Sequence, residues 1–123
     1  MKTLRELSEL SCRLSEQLGA MPPDQRFICL TEELGELGHA LLAARGLKSS
    51  SNDEPLDVAF AGVLFELLVL ASLYGVDVEQ GYERGLTKLA DRWGLDIEAL
   101  RPPEPGPDRP AGDGNDPGSR ERW

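Results

Sequence analysis

The stretch Val58-Ala59-Phe60-Ala61-Gly62-Val63-Leu64-Phe65-Glu66-Leu67-Leu68-Val69-Leu70-Ala71-Ser72-Leu73-Tyr74-Gly75-Val76 decides the fold. It runs for 19 residues with a single charge, Glu66. Its length would allow a membrane span. No basic flank sets a topology, however, and the segments on either side are amphipathic helices that need an apolar partner. The stretch therefore reads as the central helix of a bundle, apolar on most sides, and no membrane is expected as a partner.

Upstream, Leu4, Leu7, Leu10, Leu14 and Leu18 recur at three and four, which predicts a helix over 3–19 ended by Gly19 and Pro22-Pro23. A second helix is predicted from Pro23 to Ala44, closed by Gly46. The polar run from Lys48 to Asp53 is a loop in which Asn52 or Asp53 caps a third helix, Glu54 to Tyr74, with Pro55 in its first turn. Gly75 stops that helix. Asp77, with Gln80 three residues on, starts a fourth that extends to about Trp93 before Gly94, and Asp96 to Leu100 adds one turn. Nothing alternates as a strand does. The expected fold is all-α, four helices joined by short loops.

The expected domain is residues 1–100. Residues 101–123 hold six of the nine prolines and four of the thirteen glycines, with Ala111 and Trp123 as their only apolar members. A Pro/Gly-rich tail of that kind cannot repay its ordering entropy and is expected to be disordered.

The 22 acidic and 13 basic side chains leave a net charge of −9. Such a surface repels backbone phosphates, so no nucleic-acid partner is expected. Met1-Lys2-Thr3-Leu4-Arg5-Glu6-Leu7 lacks the apolar core of a secretory signal. Cys12 and Cys29 lie inside helical patterns without CxxC spacing and read as buried reduced thiols. The expected location is the cytoplasm.

The second helix carries Thr31-Glu32-Glu33-Leu34-Gly35-Glu36-Leu37. Glu32 and Glu36 share a stripe, and Glu33 is rotated further round. Three carboxylates so close repel one another, so either a solvated face or a shared cation must offset the repulsion. Oxygen-only ligands of this kind suit Mg²⁺ or Mn²⁺. Gly35 and Gly38 each cost about 1 kcal/mol in a helix interior, which points to close approach of another backbone. His39, on the same stripe, reads as a neighbour of Glu36 or as a further ligand. Glu66, alone in an apolar run, lies either on an exposed seam or inside the bundle as a paired or metal-bound carboxylate.

In this order of elements, Glu32-Glu33-Leu34-Gly35-Glu36 resembles the EExxE signature of the MazG-like all-α nucleoside triphosphate pyrophosphohydrolases. Val63-Leu64-Phe65-Glu66-Leu67-Leu68, Leu73-Tyr74-Gly75-Val76-Asp77-Val78-Glu79 and Lys88-Leu89-Ala90-Asp91-Arg92-Trp93 are similar to the family's later segments, so the likeness spans about residues 4–93. It implies a MazG-like bundle forming homodimers or homotetramers. It also implies Mg²⁺-dependent cleavage of a nucleoside triphosphate to monophosphate and pyrophosphate. Glu32, Glu33 and Glu36 would hold metal, with Glu33 and Glu36 positioning the attacking water, and Lys88 and Arg92 would meet the phosphates.

The family's second motif, ExxD, falls on Ala59-Phe60-Ala61-Gly62, where neither acid is present, and Asp91 stands where family members often carry Asn. Glu66, four residues beyond Gly62 on the same face, could supply one displaced carboxylate. Two expectations follow: a working pyrophosphohydrolase with Glu66 as relocated ligand, or a degenerate member serving as a nucleotide-binding, metal-binding or regulatory subunit.

Overall fold

A computed structural model of the chain describes residues 2–47 and 54–103. Its elements are α1 (Leu4–Leu18), α2 (Pro23–Ala44), α3 (Leu56–Leu73), α4 (Val78–Arg92) and α5 (Ile97–Leu100), and no strand occurs among the described residues. The expected cap at Asn52 or Asp53 and the expected disorder beyond residue 103, with Ala111 and Trp123, lie outside the described residues.

Local chemistry places most helix ends where the sequence predicts them. The Thr3 side chain accepts from the Glu6 N–H at 3.1 Å and starts α1. The Asp77 carboxylate accepts from the Gln80 N–H at 3.0 Å at the head of α4. At the end of α3, Gly75 takes φ 65°, and the Val76 and Gly75 N–H groups close back on Ala71 and Ser72 at 3.0 Å each. That left-handed turn favours glycine. α3 begins two residues later than expected because Pro55 stands just outside it with ψ 142°, and a residue preceding proline is pushed out of helical geometry.

The chain divides into two compact units, Met1–Thr87 and Lys88–Trp123, with the boundary inside α4. In the first, α3 is central: α2 packs along it, and α1 packs on it as well. The buried apolar residues there are Leu30 from α2 with Ala59, Leu68 and Val69 from α3. Ser15, Arg26 and Glu66 are buried with them. Within this unit the packing is that of α1 and α2 on α3. The α4 residues Gln80–Thr87 are exposed. An exposed ion pair, Arg5 to Asp77 at 2.9 Å, ties the start of α1 to the start of α4.

The second unit contains the last turn of α4 and the single turn of α5, which Asp96 caps by accepting from the Glu98 N–H at 3.0 Å. Ala90 is its buried residue. By length and composition alone α3 could cross a membrane. Its Ala59, Glu66, Leu68 and Val69 are buried, while Phe60, Leu64 and Leu67 on its other side stay exposed.

Candidate carboxylate site on the second and third helices

Two stripes meet along the α2–α3 seam. On α2 it is Arg26, Leu30 and Glu33, at steps of four and three. On α3 it is Ala59, Gly62, Glu66 and Val69, at steps of three, four and three. This helical periodicity brings the second half of the expected motif pair opposite the first. Ala59 is buried, and Gly62 faces the side chain of Glu33.

Glu33 is half-buried, and its carboxylate Oε2 occupies the space into which a side chain at residue 62 would project. Burial is the main cause that raises its pKa above the ordinary glutamate value. The charges of Glu36, Glu54 and Glu66 act in the same direction, as does a side-chain hydrogen bond with Glu36.

Of the two places expected for Glu66, the structure shows the one inside the bundle, as a paired carboxylate. It is 8% exposed and paired with Arg26, itself 6% exposed. The Arg26 Nη1 donates to Glu66 Oε2 at 3.1 Å and to Oε1 at 3.4 Å. The Arg26 Nε is buried with no hydrogen-bond partner among the described residues.

The expected cage of Glu32, Glu33, Glu36 and Glu66 is not assembled: among the described residues no three His, Cys, Asp or Glu side chains come together to hold an ion. Glu32 and Glu36 are exposed. Glu66 already has a cation. The residues present do not fit a complete divalent-metal site, and the physical reason is that Arg26 holds Glu66 while Ala59 and Gly62 offer Glu33 no further carboxylate. Lys88 and Arg92, expected near phosphates, belong to the second unit and are exposed.

The close approach expected at Gly35 and Gly38 does not occur within the described residues. Nothing lies within 4 Å of where a Cβ would sit at either position, since both point away from the seam. His39 is half-buried, and Cys12 and Cys29 are half-buried free thiols.

Arg26 is the residue that sequence reasoning missed. Its signal was present: it keeps step with Leu30 and Glu33 on the stripe that must be buried, and a lone cation there calls for the lone carboxylate of α3. Beside it lies a cavity of about 230 Å³ lined by Ser15, Met21, Arg26, Val69 and Ser72 among others. No protein-family model, curated protein or solved structure matches the chain.

Proposed function

We propose that the chain is a degenerate MazG-like protein, a cytoplasmic subunit of a homodimer or homotetramer that binds a nucleotide or regulates a partner activity. The observation that carries this reading is the contact between Glu33 and Gly62. Where the resemblance calls for an acid opposite Glu33, this chain has a glycine, and Glu33 itself takes up the room. Losing the opposing carboxylates removes both the geometry and the affinity of a metal site.

A second reading, a Mg²⁺- or Mn²⁺-dependent nucleoside triphosphate pyrophosphohydrolase, is favoured by one observation. Glu33 is crowded by the like charges of Glu36, Glu54 and Glu66, a repulsion that a divalent cation would relieve. When bound, such an ion would neutralise phosphate charge and activate water.

Pyrophosphate release by the full chain across canonical and damaged nucleoside triphosphates, with Mg²⁺ and with Mn²⁺, tests both. Nucleotide binding measured by calorimetry without turnover is the expected result. Turnover of any nucleotide overturns the first reading in favour of the second, and neither binding nor turnover overturns the nucleotide reading.

A further inference from the structure

The α3 stripe Ala59, Gly62, Glu66 and Val69 carries one carboxylate, and the α2 stripe facing it carries one cation, Arg26. Both are buried, the Arg26 side chain 7% exposed and the Glu66 side chain 11%. A guanidinium keeps its proton at any pH a folded protein meets, so it cannot escape burial by becoming neutral. It needs a counter-charge, and Glu66 supplies it with both oxygens on one nitrogen, at 3.1 and 3.4 Å. The Arg26 Nε is buried without a hydrogen-bond partner among the described residues, so the pair with Glu66 is the guanidinium's contact in the seam.

We infer that Arg26 is the built-in cation of the α2–α3 seam. Its guanidinium stands to Glu66 as a divalent ion stands to the carboxylates of a complete cage, so the folded chain needs no ion there and loss of Arg26 creates that need. An ion drawn to Glu66 would have to sit beside a fixed positive charge in a poorly screened place, which disfavours it. The inference rests on the degenerate reading of the seam and adds the group that supplies positive charge there.

The test uses the full chain as wild type, Arg26→Gln, Arg26→Lys, Glu66→Gln and the double variant Arg26→Gln/Glu66→Gln. Thermal unfolding is followed in chelator and in millimolar Mn²⁺, with Mn²⁺ binding read by electron paramagnetic resonance. Wild type and Arg26→Lys are expected to melt at the same temperature with and without Mn²⁺. Arg26→Gln is expected to melt several degrees lower in chelator and to regain most of that loss in Mn²⁺, because the freed Glu66 then needs a cation. The double variant is expected to melt above Arg26→Gln and to ignore Mn²⁺.

If Arg26→Gln does not fold, the resonance spectra of wild type and Glu66→Gln decide: both are expected to leave the free-ion signal intact. Mn²⁺ bound by wild type and released by Glu66→Gln overturns the inference, as does a Mn²⁺ stabilisation of wild type equal to that of Arg26→Gln. Nucleotide binding on the same samples is a separate readout. Its absence overturns the nucleotide reading and leaves the Arg26 inference standing on the metal data.

Discussion

Glu33 on α2 and Gly62 on α3 share one space: the glutamate Oε2 lies where the side chain of residue 62 would begin. Because that oxygen ends a flexible side chain, a methyl group at residue 62 can push it aside at little cost. Gly62→Ala also gains about 1 kcal/mol of helix propensity. The variant is therefore expected to be as stable as wild type or up to ~1 kcal/mol more stable in urea unfolding. Carboxyl NMR should show the Glu33 pKa moving down toward the ordinary glutamate value. A clear loss of stability would mean that Glu33 is fixed in place more firmly than its chemistry suggests.

The pH dependence of stability follows from the same residue. With its pKa raised in the folded state, mainly by burial, Glu33 holds a proton more tightly folded than unfolded. Its ionised form therefore subtracts from stability at neutral pH. The penalty is relieved as pH falls through the folded-state pKa and is gone below the unfolded value. Glu33→Gln is expected to melt higher than wild type near pH 7 and to match it below about pH 4, where both are neutral. A gain that persists unchanged in acid would assign the effect to packing instead of charge.

The Arg26–Glu66 pair should behave as a unit. Removing one partner of a buried pair leaves the other charge uncompensated and costs about 3–5 kcal/mol, whereas replacing both by apolar groups of similar size is often neutral. Glu66→Gln is expected to be strongly destabilised, and Arg26→Met/Glu66→Met to return to within about 1 kcal/mol of wild type. Additive single and double effects in chemical denaturation would show the two residues to be uncoupled.

Placing at residues 59 and 62 the acids that the MazG resemblance implies is the direct test of how α2 and α3 face each other. Ala59→Glu/Gly62→Asp places two carboxylates in the seam, where without metal they repel Glu33 and lose hydration. The double variant is expected to melt below wild type in chelator and to recover in millimolar Mg²⁺. Pyrophosphate release is expected to appear at least about tenfold above the wild-type background, a change that needs only ~1.4 kcal/mol of transition-state stabilisation. No added Mg²⁺ binding in calorimetry would refute the alignment of the two stripes.

The apolar side of α3 away from the seam predicts self-association. Phe60, Leu64 and Leu67 are 53%, 41% and 43% exposed and lie along one helix face. Contiguous apolar surface of this kind marks a contact site. Light scattering at micromolar concentration is expected to find a dimer or larger species, and Leu64→Glu/Leu67→Glu to shift it toward monomer. A monomeric wild type would remove the homo-oligomer from the proposal.

Leu4 through Leu18, the long apolar run of α3 and the stops at Gly46, Gly75 and Gly94 made the helices readable before any coordinates. So was the departure at Ala59 and Gly62, since a spacing of three puts both on one face of a helix. Helix starts, stops and faces depend on hydrogen bonds and side-chain spacing within a few residues, so the chain's own order determines them. Which stripe docks on which is a different kind of fact. Arg26 and Glu66 are 40 residues apart, and only the register of α2 on α3 decides that they pair, leaving Glu33 against Gly62 and Gly35 facing outward. A carboxylate's role is set by its neighbours across the seam, in burial and in charge. The chain's order named these acids, and tertiary packing chose which of them is neutralised and which is left crowded.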